Sequence, residues 1–306
     1  MKVKDDIISY LLEYNPHLKN ATSVKQLEKG FSHDKKYIID DSYLLRTFTS
    51  EDEARRKQEF EVIKLASNYS TYVPKAIEFN TVHDFHTSYM LLTYLPGEDG
   101  EEALSKLTEE EQYNAGYVAG VELKKLHQVN APADYPSWYS IKKKKSEKYL
   151  QELKDISIEE QIKELLEAYI HKHEHLMLDR PNTFQHDDFH PSNLLIKDKE
   201  FAGIIDFQRM DWGDPVHDLH KLGFFSKHVS IEFTKGIIDG YHNHNVTDEF
   251  WKLYALYSAM HVVSAIVWGN RQGPESFEKL LIYSLEVIED HDSFRNIIPK
   301  WYDSSR

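Results

Sequence analysis

The stretch FQHDDFHPSNLLIKDKEFAGIIDFQRMDWGDPVHDLH, residues 184–220, gathers carboxylates between short apolar runs. Leu194-Leu195-Ile196 and Gly203-Ile204-Ile205 read as two strands joined by a turn from Lys197 to Glu200, which sets Asn193 and Asp206 at strand ends able to lie side by side. Two oxygen ligands so placed suit magnesium, which keeps several waters and completes its shell with substrate phosphates. Five residues before Asn193, Asp188 occupies a tight loop where Pro191 blocks a regular helix. A carboxylate held there can orient an incoming hydroxyl and accept its proton. The spacing of Asp, four residues, Asn, and then an Asp after an apolar strand is shared with kinase catalytic loops.

Upstream, residues 36–48, KYIIDDSYLLRTF, read as a hairpin with Asp40, Asp41 and Ser42 at its turn. The two-residue period puts Leu44, Arg46 and Phe48 on one face, so a permanent charge lies between apolar neighbours and needs a partner. The following segment, EDEARRKQEFEVIKLASN, has helical spacing, and Glu59 falls at the margin of its apolar side near Val62 and Ile63, which makes it the partner expected for Arg46. VPKAIEF and TSYMLLTYL then read as strands ending before Pro96-Gly97. Beyond residue 97 the pattern is helical. Thr108 with Glu111 forms a capping box, and Gly116 and Gly120 would let a second helix approach closely. Lys142 to Lys145 read as a solvated helix end with no function, and the stripe Tyr254, Tyr257, His261, Ser264 and Trp268 as core packing.

The composition bounds these readings. A formal charge of −14, from 51 acidic and 37 basic side chains, opposes nucleic-acid binding and favours cationic ligands. The absence of cysteine excludes disulfides, thiolate metal sites and Cys nucleophiles. No apolar leader is visible at the N-terminus and no stretch reads as a membrane span, so a cytoplasmic protein is expected, with no membrane and no protein partner indicated.

In order along the chain, His186-Asp187-Asp188, Phe189-His190-Pro191-Ser192-Asn193, Ile205-Asp206-Phe207, Gly213-Asp214-Pro215 and Asp218-Leu219 resemble the motifs of the aminoglycoside phosphotransferase and choline kinase-related family. The resemblance covers nearly the full length. It implies an α+β, bilobal protein kinase-like fold, with a small N-terminal antiparallel sheet lobe carrying one helix (1–95) and a larger, mostly helical C-terminal lobe (96–306). It implies Asp188 as the catalytic Asp, Asn193 and Asp206 as Mg2+ ligands, Asp218 as a brace of the catalytic loop and His186 as a structural part of it. Arg46 resembles the basic residue that contacts nucleotide phosphates, with Glu59 as its helix partner. Ser32 falls in the position of a phosphate-covering loop, and Thr93 to Leu95 in that of the connector whose backbone binds the purine of ATP or GTP. Asp187 stands where the family usually has Gly.

Only eleven residues separate Asp206 from Asp218, too few for the long segment on which protein kinases dock peptides. A small acceptor is therefore expected. Asp187, Asp211, Asp214 and the Glu98 to Glu102 cluster suit an amine-bearing alcohol, so an aminoglycoside-like acceptor and a role in antibiotic resistance are favoured over a macrolide, choline-like alcohol or sugar. Two competing classes remain in view. His171, His173 and His175, with His186 and His190 beside Asp187, have spacings that transition metals could exploit in a hydrolase. A kinase-like binding protein without turnover is the other.

Overall fold

The computed structural model describes residues 7–28 and 34–303, which form two units: those up to residue 97 with 202–208, and 98–201 with those from 209 onward. The sequence places a single division after residue 95; the return of 202–208 to the first unit is a difference from that reading. Ser32 and the rest of the expected phosphate-covering loop from Lys29 onward lie outside the described residues.

The first unit begins with α1 (Ile7–Tyr14), which the sequence reading does not assign, and β1 (Val24–Leu27). The hairpin follows as β2 (Lys35–Ile39) and β3 (Tyr43–Thr49), with α2 (Glu53–Ala66), β4 (Ala76–Val82) and β5 (Thr87–Thr93) after it. The strands form one antiparallel sheet in the order β1-β2-β3-β5-β4. At the β2–β3 turn Asp40 and Asp41 both take left-handed backbone, which Asp tolerates better than most residues and which hairpin turns require. Alternation along the strands splits the side chains between two faces. Tyr37, Ile39, Leu45, Tyr89 and Leu91 pack with Ile7, Ile8 and Leu11 of α1 on one face. Arg46 and Phe48 point to the other, where Phe48 and Phe60 of α2 both meet Phe79.

The second unit contains β6 (Glu98–Asp99), α3 (Gly100–Ala103), α4 (Glu109–Leu126), α5 (Trp138–Lys154), α6 (Glu160–His173), β7 (Thr183–Gln185), β8 (Leu194–Lys197) and the first two residues of β9 (Glu200–Ile204). β10 (Asp211–Gly213), a 3-10 segment (Pro215–Leu222), α7 (Ser226–Val229), α8 (Ile231–His242), α9 (Asp248–Gln272) and α10 (Pro274–Asp290) complete it. β7 pairs with β10, and β6, β8 and β9 make a three-stranded sheet. Residues 202–204 of β9 already belong to the first unit. The expected capping box is present at α4, where Thr108 accepts from the Glu111 N–H and Glu111 from the Thr108 N–H.

α9 is long and apolar enough to cross a membrane by length and composition alone, contrary to the reading of no such stretch. Most of it is buried inside the protein, with Phe250, Tyr254, Tyr257, Val263 and Ile266 in the core. That burial is what a central core helix requires.

α4 and α8 touch backbone to backbone because each carries two glycines one turn apart. A Cβ built on Gly120 would stand 2.1 Å from the carbonyl oxygen of Ile237, and one on Gly240 1.9 Å from that of Tyr117. In an isolated helix Gly→Ala gains about 1 kcal/mol. Here the helices would have to separate, and overpacking of this kind costs about 1–3 kcal/mol. Gly120→Ala is therefore expected to lower the melting temperature, and a rise would show that α8 can shift without penalty.

Candidate active site

The catalytic-loop segment is built from two backbone anchors. The carboxylate of Asp218, on the 3-10 segment, accepts the N–H groups of His186 and Asp187, each at 2.6 Å. Asp218 is itself fixed from α4: the ring of His127 reaches it at 3.1 Å and reaches the Tyr241 hydroxyl of α8 at 2.7 Å. Two N–H groups of the loop thus end on one carboxylate of the 3-10 segment. His127 was not singled out from the sequence, because nothing at the C-terminal end of α4 announces a buried ring. Asp187 takes left-handed backbone at φ 54°, the conformation for which a glycine is usual. Its presence here leaves the loop backbone intact.

Asp188 comes out of that loop half-buried and surrounded by donors. Lys221 Nζ lies 3.0 Å from Oδ1, and the Asn193 amide nitrogen lies 3.3 Å from Oδ2. His190 at 3.5 Å and Arg209 at 3.7 Å complete the ring. Burial alone would raise the Asp188 pKa, but hydrogen bonding to His190 and the charge of Lys221 hold it well below the usual carboxylate range. Lys221 also donates to the Asp187 carbonyl. Lys221 escaped the sequence reading although it lies three residues after Asp218, because only the turn of the 3-10 segment brings it back over the loop.

Asn193 donates its amide hydrogens to the carbonyl and carboxylate of Asp188. Its own carbonyl oxygen makes no hydrogen bond among the described residues, so it remains available as a metal ligand. In the first unit Asp206 takes left-handed backbone, φ 64°, and accepts only the distant N–H of Gln208 at 3.4 Å among the described residues. Each group therefore fits the oxygen-donor role that magnesium demands.

The first unit holds Arg46 in a closed ring of alternating charge. Its two terminal nitrogens meet Glu59 at 2.5 Å and Asp34 at 2.6 Å, and Arg56 meets the other oxygens of the same two carboxylates at 3.1 and 2.5 Å. All four side chains are buried. The Arg46–Glu59 pairing inferred from the strand and helix faces is present; Asp34 and Arg56 are additions. Burial alone would lower the Arg46 pKa, but Glu59 and Asp34 raise it above its usual value. With both terminal nitrogens committed, Arg46 leaves the outward charge to Lys36, its cross-strand partner on β2. Lys36 is partly exposed, and its pKa is lowered by burial while Asp206 opposes that shift. At the connector, the Thr93 N–H is bound to the Lys75 carbonyl and the Tyr94 N–H to that of Ser42. The Thr93 N–H is thus committed within the sheet, and Leu95 is the connector residue whose backbone remains open among the described residues.

One assigned substrate acid must be withdrawn. Asp214 is fully buried, gripped by Arg180 through Nε at 2.7 Å and Nη2 at 2.9 Å, and it accepts from the Tyr257 hydroxyl at 2.7 Å and the Val216 N–H. It ties the 3-10 segment to α9 and has no room for a ligand. Asp211 is exposed and takes the Tyr135 hydroxyl at 2.8 Å. The basic run also reads differently in the structure: Lys142 turns inward on α5 and meets Nε2 of His217 at 2.6 Å. The histidines proposed as transition-metal ligands are dispersed. His173 and His175 bind carbonyls of their own helical turns, His171 faces Glu147, and among the described residues no group of three or more His, Asp or Glu could hold a metal ion.

The family model described as the phosphotransferase enzyme family, APH, matches residues 23–254. The chain belongs to that family. The phosphotransferase is a small-molecule kinase, and its fold is the protein kinase-like α+β fold expected from the motifs. Among solved structures, ADP-bound aminoglycoside phosphotransferase APH(2'')-Ib is similar with a TM-score of 0.65 at 16% identity, covering 99% of both chains. The GDP complex of wild-type aminoglycoside 2'-phosphotransferase-IIIa gives 0.69 at 14% identity over 93% of this chain and 98% of that one. A choline/ethanolamine kinase family protein from Mesorhizobium loti gives 0.66 at 16%, over 95% and 96%. No curated protein matches the phosphotransferase significantly.

Proposed function

We propose that this phosphotransferase moves the terminal phosphate of ATP or GTP to a hydroxyl of a small molecule, with Asp188 receiving and orienting that hydroxyl. The observation that carries the reading is the setting of Asp188: a carboxylate half-buried, held ionised by cations, on a loop pinned by Asp218. An ionised carboxylate of low basicity takes the acceptor proton late, which suits a phosphoryl transfer that depends on positioning and charge neutralisation more than on base strength. Asn193 and Asp206 would hold Mg2+, which when bound with the donor phosphates offsets their charge. Lys36 and Leu95 would serve phosphate and purine respectively, and the buried Arg46–Glu59 pair would fix the strand that Lys36 lies against. The likeness to proteins crystallised with ADP, GDP and, in a streptomycin–ATP ternary complex of APH(2")-IIa, ATP supports a nucleotide donor. A cytoplasmic location, where nucleoside triphosphates are abundant, goes with this reading.

The amine-bearing, aminoglycoside-like acceptor favoured by net charge gains support from neighbours solved with gentamicin and kanamycin. It loses support from the removal of Asp214. The test is a nucleotide-consumption screen with Mg2+ over aminoglycosides, macrolides, choline-like alcohols, sugars and hydroxy acids, followed by product mass. A product heavier by one phosphoryl group is expected from one of these classes. Nucleotide neither bound nor consumed with any of them would sink the reading.

A further inference from the structure

The groups beside Asp188 within the second unit are mostly hydrogen-bond donors. Lys142 Nζ meets His217 Nε2, and if the lysine donates, the His217 proton lies on Nδ1. That Nδ1 is buried without a hydrogen-bond partner and stands 3.7 Å from Asp187 Oδ1. The ring is walled by Trp138 on one side and by Tyr257 and His220 on others. Lys142 lies 5.6 Å from the centre of the Trp138 ring and makes no ion pair with a carboxylate among the described residues. Lys221, already on Asp188, and Lys145, exposed on α5, add to the same field. Burial and then Lys145 pull the Lys142 pKa down to about 7. His217 is kept neutral by burial and by Lys142. Asp187 opposes this field, and burial raises its pKa towards the neutral form.

An amine held without a counter-ion beside other amines costs stability. A neutral packing residue would do better at that position. The arrangement becomes favourable when an anion enters, because it would be met by charge-assisted donors already in place. Resting on the reading of Asp188 as the group that receives the acceptor hydroxyl, we propose that the acceptor carries an acidic group, carboxylate or phosphate, which Lys142 and His217 hold while its hydroxyl is presented to Asp188. In the reaction the acceptor oxygen forms the new bond to phosphorus and the bond to the nucleoside diphosphate breaks. The acceptor proton passes to the Asp188 carboxylate and then to water.

The experiment compares three sets of acceptors with the full chain, ATP or GTP and Mg2+: hydroxy acids together with phosphate-bearing alcohols, neutral alcohols and sugars, and amino alcohols including aminoglycosides. Turnover is expected from the acidic set, and whether carboxylates or phosphates are consumed identifies the anion. Lys142→Met should raise KM for that acceptor tenfold or more with kcat changed by less than about threefold, as removal of a binding contact that is equal in ground and transition states requires. Lys142→Arg should recover much of the loss. Removal of an amine that has no counter-ion should leave the melting temperature close to that of the wild type despite the lost hydrogen bond to His217, so a failure to fold would itself count against the proposal. If only the amine or neutral sets are consumed, or if Lys142→Met leaves KM unchanged, the proposal is overturned and the kinase reading survives. If nucleotide is neither bound nor consumed, both fall.

Discussion

Replacement of Asp188 by Ala is expected to lower turnover by a factor on the order of 10² or more while nucleotide affinity stays within about twofold. The side chain is held by Lys221, Asn193, His190 and Arg209. None of these is an obligatory structural anchor, because the loop is pinned by backbone bonds to Asp218 and not by Asp188 itself. The fold should therefore survive. Loss of the carboxylate leaves the acceptor hydroxyl without an acceptor for its proton and frees Lys221 and Arg209 from their shared counter-ion. A variant that keeps full turnover would remove Asp188 from the reaction.

The second large effect concerns stability. Glu59→Ala is expected to destabilise the first unit by about 3–5 kcal/mol, because it leaves Arg46 and Arg56 buried with only Asp34 between them. The size of the effect comes from the unpaired charge left behind more than from the bond removed. Removing Arg56 and Glu59 together, one charge of each sign, should cost less than Glu59→Ala alone. Urea titration followed by tryptophan-independent signals such as far-ultraviolet circular dichroism would measure both. Equal losses for the single and double variants would mean that water reaches the ring and screens it.

Much of this site could be read along the chain, and the successes share a cause. The β2–β3 hairpin and the α4 capping box are fixed by residues within a few positions of one another, where spacing and turn chemistry decide the geometry. Arg46 and Glu59 are thirteen residues apart, yet both lie on regular elements, so the faces of a strand and a helix sufficed to pair them. The failures lie where partners come from distant segments. Asp34 precedes the hairpin and carries no periodic signal. Asp214 has the sequence setting of a ligand acid, but Arg180, 34 residues away, occupies it. Lys142 was concealed by its neighbours: in four consecutive lysines, nothing but the packing of α5 against the 3-10 segment tells which one turns inward. α1 is short and carries no capping signal, and only the spacing of Ile7, Ile8 and Leu11 marks its buried stripe.

The return of residues 202–208 to the first unit, where the Ile204 N–H binds the Tyr72 carbonyl, has a consequence for biosynthesis. A ribosome that has finished the first ninety-seven residues has not yet made everything that unit contains. At ordinary translation speeds the missing strand end emerges on the order of ten seconds later. Until then the Tyr72 carbonyl waits for its Ile204 partner, so the unit begun first stays incomplete until the chain has been read through residue 208, more than a hundred residues after the end of β5.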